Sequence, residues 1–373
     1  MSKVIYYNAL HFQNNQSLIN QVPGLKNLNY LYDYINHCSF MDRTGSITLP
    51  FECEIVYKLP DLIQPFNLSF EQCVELRMQE LDKLHQTTGE KFRLMYSGGI
   101  DSTSILAAFI GYYGLDRAGE LVEILCTKES IDENPWAWDR YIAPGKFKLL
   151  SAQNYTNHWI DNVITINGEL SDQLFGIVSM SFVKGWMLYN KQPDKFCKIT
   201  PELCDEYFEW WAARVCESGD AIASGRYFSK LVYKIGESAP WTVNTMYSLL
   251  SWFSINTLTN GIVLRMLSSH NGNKYPEDFL ETRYKAFFNT PEFQRLGIDY
   301  NEDITPDKFG KPLVKNFILT TLNIPEYASK GKFGSWPRVH SMIPDSAFID
   351  NNLELHNNVM DIVNFVNPTN SFL

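Results

Sequence analysis

Three short stretches carry the residue types that chemistry on a phosphate or an acyl group needs. The first is Ser97-Gly98-Gly99-Ile100-Asp101-Ser102. Two adjacent glycines after a strand-like run let the backbone turn sharply with its N–H groups uncovered. At the start of a following helix, such amides face outward at the positive end of the helix dipole and make an anion site. Ser97, Ser102 and Thr103 add hydroxyls, and Asp101 supplies a carboxylate of the kind that a Mg2+ ion bridging two phosphates takes. The same residues also suit an ordinary strand-to-helix turn in which glycine serves only chain reversal. The loop lacks the GxxxxGKS/T spacing and the lysine of a Walker A loop.

The second stretch is Asn167-Gly168-Glu169-Leu170-Ser171-Asp172-Gln173-Leu174-Phe175-Gly176, which directly follows another strand-like run. The third is Lys311-Pro312-Leu313-Val314-Lys315, followed by Lys330-Gly331-Lys332-Phe333. SGGIDS resembles the PP-loop (SGGxDS) of the N-type ATP pyrophosphatases, which cut ATP between its α- and β-phosphates. The second stretch resembles the S-G-E-G-x-D-E-L-F-G segment of the asparagine synthetase and β-lactam synthetase family. Gly168, Glu169, Asp172, Leu174, Phe175 and Gly176 match, whereas Asn167, Leu170 and Gln173 replace a serine, a glycine and an acid. The third stretch is similar to that family's K-P-L-L-R helix start and K-x-x-F segment. Ala328 stands where the usual arginine would precede Lys330. The resemblance covers about residues 70 to 335.

The resemblance implies an α/β fold with a parallel sheet and flanking helices, a helical C-terminal region, and ATP with Mg2+. Ser97, Gly98, Gly99, Asp101, Ser102, Asn167 and Gly168, together with Met95 and Cys126, would bind ATP and pyrophosphate. Asp101 and Asp172 would hold the metal, and Glu169 and Lys330 would be catalytic. The implied reaction adenylates a small-molecule carboxylate, releasing pyrophosphate, and passes the acyl group to an amine or ammonia. Glu169 would position or deprotonate the amine, and Lys330 would stabilise the tetrahedral oxyanion. Glutamine-dependent relatives begin with a cysteine nucleophile in a glutaminase domain. Here the chain reads Met1-Ser2-Lys3, and the segment before Ser97 is short for such a domain. Nitrogen is therefore expected from ammonia, an amine or a separate amidotransferase partner. Two alternatives stay open: a PP-loop enzyme modifying a nucleobase or RNA, and a catalytically silent ATP-binding scaffold.

The elements that must position these residues are partly legible. Val4–Tyr7, Ser46–Leu49 and Glu54–Tyr57 are rich in β-branched and aromatic residues and predict strands. Asn29–Ile35 suits either a strand or a helix. Ser69 is a predicted N-cap, with Val74, Met78, Leu81 and His85 recurring at helical spacing until Thr88-Gly89. Phe92–Tyr96, Leu121–Thr127 and Asn162–Ile166 predict strands separated by helix-length segments, hence a parallel sheet, with a helix over 103–113. Residues 1–68 are expected to form a short β-rich segment, 69–200 the ATP-binding core and 201–373 a mainly helical substrate region.

Composition narrows the function classes. Lys plus Arg is 32 against Asp plus Glu 42, a net charge of −10, which argues against a surface built for nucleic acid. The 7 cysteines show no CxxC pair or zinc spacing, which fits reduced thiols in the cytoplasm. No signal-like apolar run follows Met1, and a cytoplasmic protein is expected. The uncharged stretch Ser238–Leu264 holds too many Ser, Thr and Asn for lipid and predicts a buried helix instead of a membrane span. The tryptophans Trp210, Trp211, Trp241 and Trp252 are expected to be core packing.

Overall fold

The computed structural model describes residues 2–15, 17, 20–21, 25, 39–63, 65–152, 162–176, 199–215, 220–269, 272, 274–302, 310–329 and 346–366. The apolar run Val4–Tyr7 is buried along its length and forms β1. Its partner is far away in sequence. It pairs antiparallel with β7 (Phe348–Asp350), which in turn pairs with β8 (Leu355–His356).

A second sheet has five strands: β2 (Lys91–Met95), β3 (Val122–Cys126), β4 (Lys148–Ser151), β5 (Val163–Asn167) and β6 (Tyr284–Ala286). Every pair is parallel, and the order is β4-β3-β2-β5-β6. Near-continuous apolar runs such as Val-Ile-Thr-Ile in β5 are what a sheet covered on both faces requires. From β2 the chain steps outward through β3 to β4, then returns to the other side of β2 with β5. The strand order therefore reverses between β2 and β5, where open α/β sheets leave a crevice beyond the carboxyl ends.

Helix α1 (Phe70–Thr88) has both of its expected ends. Ser69 Oγ accepts from the Gln72 N–H at 3.3 Å, and Gln72 Oε1 accepts from the Ser69 N–H at 2.8 Å. This capping box satisfies two otherwise orphaned donors. Gly89 closes the other end at φ 71°, a left-handed position that favours glycine. Helix α2 (Ile100–Tyr113) begins earlier than expected, because extended Gly99 serves as its N-cap; Asp101 and Ser102 thus lie in its first turn.

The C-terminal region contains α3 (Pro201–Val215), α4 (Ala221–Gly236), α5 (Met246–Leu264), α6 (Pro291–Glu302) and α7 (Pro312–Leu322), besides β6, β7 and β8. Helix α5 is buried at nearly every position. Its polar residues turn inward on the helix itself: Ser251, Asn256, Thr257 and Thr259 each donate to the carbonyl four residues back, at 2.6 to 2.8 Å. Among the described residues no helix is long and apolar enough to cross a membrane. Trp211 and Trp252 are buried, Trp211 against Phe208 and Phe228, and Trp252 edge-on to Trp241.

Two expected strands are absent. Ser46–Leu49 and Glu54–Tyr57 form irregular loops, with only isolated bridges at Phe51 and Cys53 between them. Side chains take the place of a ladder there. Asp42 accepts from the Thr44 and Ile47 N–H groups at 2.8 Å, and Asn260 Oδ1 from the Tyr57 N–H at 3.0 Å. Asn29–Ile35 lies outside the described residues.

Candidate functional site

The crevice between β2 and β5 is built from three remote segments. From β2 comes the loop Ser97–Gly99, folded by its own hydroxyls. Ser97 Oγ accepts from the Gly99 N–H at 3.3 Å and lies 3.1 Å from Ser102 Oγ, while Thr103 Oγ1 donates to the Gly98 carbonyl at 3.3 Å. Gly98 sits at φ 76°, and a Cβ on it would lie 2.2 Å from the Ser130 carbonyl oxygen in the segment after β3. Only glycine fits both conditions. Among the described residues no side chain caps α2, and helix-start N–H groups left so can take an anion.

From β5 comes the turn Gly168–Ser171, leading into a π-helical turn at Asp172–Gly176. Gly168 packs on the first turn of α2 so closely that a Cβ would stand 2.8 Å from Asp101 Cβ. Asn167 is buried at the end of β5. Its Nδ2 donates to Tyr284 Oη at 2.7 Å, and its Oδ1 accepts from the Glu169 N–H at 3.1 Å. Phe175 anchors the turn among Phe70, Phe288, Phe293 and Tyr300, and Asn301 of α6 donates to the Leu174 carbonyl at 2.6 Å. Gln173, where the resembling family has an acid, is buried with no hydrogen-bond partner at Oε1 among the described residues. An acid there would bury an uncompensated charge.

The third segment is the start of α7, which packs against α2. Its N-cap is Lys311, a non-glycine residue at φ 61° between Gly310 and Pro312. Its ammonium reaches across the crevice to both acids: Nζ lies 2.5 Å from Asp101 Oδ1 and 2.5 Å from Asp172 Oδ1, and donates to Ser171 Oγ at 3.4 Å. Gly176 clears the path, since a Cβ there would stand 2.6 Å from Lys311 Cε. Burial pushes the Asp101 carboxyl above the ordinary aspartate range, against the opposing pull of Lys311. Burial alone would lower the Lys311 ammonium, but the two carboxylates outweigh it and hold it above the ordinary lysine value. The cluster is one cation between two anions.

Glu169 lies apart from that triad and points to the helical region. Arg265, just beyond α5, donates through Nη2 to Glu169 Oε1 at 2.8 Å and Oε2 at 3.0 Å. Leu170 occupies the position where the family has a glycine, and its φ of 79° is the backbone setting that favours one. Met95 and Cys126 are buried at the carboxyl ends of neighbouring β2 and β3, and burial raises the Cys126 thiol above its ordinary value. The structure thus brings Ser97, Gly98, Gly99, Asp101, Ser102, Asn167, Gly168 and Asp172 to one crevice, with Glu169 at its helical wall. Lys330 lies outside the described residues.

Three site residues escaped sequence reasoning. Lys311 was visible only as the first letter of a helix-start motif, Ser171 as filler between matched positions, and Arg265 carried no local signal. No family model, curated protein or solved structure matches the chain.

Proposed function

We propose that the chain is an ATP-dependent ligase that forms AMP and pyrophosphate, adenylating a carboxylate and transferring it to an amine or ammonia. One observation carries this reading. Asp101, Asp172 and Lys311, from three segments remote from one another in sequence, meet at the point where the parallel strand order reverses.

The residues suit the substrates this reaction needs. Uncapped amides at the start of α2 bind phosphate oxygens, and Asp101 with Asp172 form a hard, all-oxygen donor pair. Bound Mg2+ would supply charge neutralisation on the departing pyrophosphate. The chain's own contribution is placement. The loop orients the triphosphate so that a carboxylate oxygen can attack the α-phosphorus while the α–β P–O bond breaks. In the second half-reaction the amine attacks the acyl carbon, AMP leaves, and the amine proton passes to a base. Glu169, held by Arg265, would orient that amine. Lys330 keeps its proposed role as the oxyanion's cation.

Labelled ATP incubated with carboxylic acids and ammonia tests the reading. AMP and pyrophosphate are the expected products, and accumulation of ADP would overturn it. Lys330→Ala is expected to spare pyrophosphate exchange while losing ligated product. The ammonium already seated between the two acids favours a second reading, an ATP-binding scaffold without turnover. Stoichiometric ATP binding with no exchange for any acid would select that one.

A further inference from the structure

The β7–β8 end of the three-stranded sheet carries a constellation that the ATP chemistry does not use. We propose that Asp350, Glu354 and His356 form a binding site for a divalent transition-metal ion, Zn2+ by preference, that staples the β7–β8 hairpin. One ligand atom from each residue lies within 4.8 Å of the others. Spacing of i, i+4 and i+6 across the hairpin brings all three to one side of it.

Each ligand is prepared differently. Asp350 is buried, and its Oδ1 already accepts from the Asn352 N–H at 2.9 Å and the Glu354 N–H at 3.1 Å. The carboxylate is thereby fixed, and Oδ2 faces His356 Nε2 at 3.6 Å, beyond hydrogen-bond reach. Nε2 is shielded from solvent and has no hydrogen-bond partner among the described residues. A shielded ring nitrogen left unpaired costs free energy, which a metal bond to its lone pair would reverse. The ring is held for that purpose by Phe348, stacked at 4.2 Å and 5°, and by the edge of Phe365 at 6.0 Å. Glu354 is the adjustable ligand: its side chain is 50% exposed, with Lys274 Nζ 3.7 Å from Oε1.

The donor set decides the ion. One imidazole nitrogen with two carboxylates suits Zn2+, whereas Mg2+ and Ca2+ take oxygen ligands. Bonds of about 2.0–2.1 Å put tetrahedral ligand atoms about 3.3 Å apart. Rotation of the exposed Glu354 side chain supplies that closure, and solvent supplies the fourth ligand.

The test is equilibrium dialysis of the chelator-treated full chain against Zn2+, with excess Mg2+ present to occupy all-oxygen sites. One equivalent of Zn2+ is expected to remain bound, with Co2+ in its place giving visible absorption. His356→Gln and Glu354→Gln should each weaken binding at least tenfold, the second at an exposed position that leaves the fold alone. Asp350→Asn keeps the Oδ1 acceptor of the turn while removing the charge, and should act likewise. Lys274→Met should tighten binding. Substoichiometric Zn2+ in the unaltered chain, or one equivalent that survives both His356→Gln and Glu354→Gln, would overturn the assignment.

Discussion

Replacing Lys311 with methionine keeps the stem and removes the cation that holds two acids together. Breaking a fully buried ion pair costs about 3–5 kcal/mol. Here the Lys311 side chain is 7% exposed, but Asp101 and Asp172 keep 26% and 49% of theirs in water, so both acids can be partly resolvated. The cost then falls to roughly 2–3 kcal/mol. At about 2.1 cal/mol/K per residue, the 373-residue chain has an unfolding entropy of about 0.8 kcal/mol/K, so melting as one unit would drop about 3–4 °C. The loss must depend on pH. Asp101 already sits above the ordinary aspartate range through burial, and without Lys311 the repulsion from Asp172 goes unopposed. A carboxyl raised on folding opposes folding when ionised, and that penalty fades as pH falls through its raised value toward about 3.9. Lys311→Met should therefore lose most at neutral pH and least near pH 5. Mg2+ should replace the missing cation: at a dissociation constant of about 1 mM, about 10 mM Mg2+ returns about 1.4 kcal/mol. Thermal melts at both pH values, with and without Mg2+, decide the matter. An equal loss throughout, with no response to Mg2+, would mean that Lys311 acts by packing alone.

Gly98→Ala should melt lower and lose ATP binding at least tenfold by equilibrium dialysis, because its Cβ has no room beside the Ser130 carbonyl; wild-type affinity would show that the loop is not the phosphate site. At position 170, Gly should be more stable than Ala by about 1 kcal/mol in denaturant melts, the reverse of the usual order, because of φ 79°. Arg265→Ala should leave pyrophosphate exchange near wild type and reduce ligated product, since its contact is with Glu169 and not with the phosphate loop; a loss of exchange instead would move Arg265 to the first half-reaction.

What was legible followed the range of the signal. Helix α1 could be read to its ends because Ser69, Gln72 and Gly89 act within a turn of themselves. Strands β2, β3 and β5 announced themselves as apolar runs, whereas β4 is a largely exposed edge strand and β6 is very short, and neither was visible. Ser46–Leu49 had strand composition, but its Ser46 and Ile47 amides answer to the Thr44 and Asp42 side chains, a competition that β-propensity does not report. In the site, the loop and Asp172 stood out because they sit in dense motifs. Lys311 had no visible role because both of its partners are distant in sequence, and only the sheet's reversal brings them together. Leu170 was noted as a departure from a glycine pattern, yet nothing local said that its backbone would stay left-handed.

The pairing of β1 with β7 sets an order on the ribosome. Tyr7 and Phe348 are partners in the register, and nearly the whole chain is made between them. At about 5–20 residues per second, roughly 17–70 seconds pass before that partner exists. During that interval Val4-Ile5-Tyr6-Tyr7, an apolar strand buried in the finished protein, can bond through Val4 to Glu52 and Glu54 but has no sheet to enter. The parallel core around β2 and β3 can close meanwhile, because its strands follow one another closely in the chain. A nascent chain stalled before β7 would therefore hold a folded core and a sticky leading strand, the form that a chaperone binding short apolar segments would recognise.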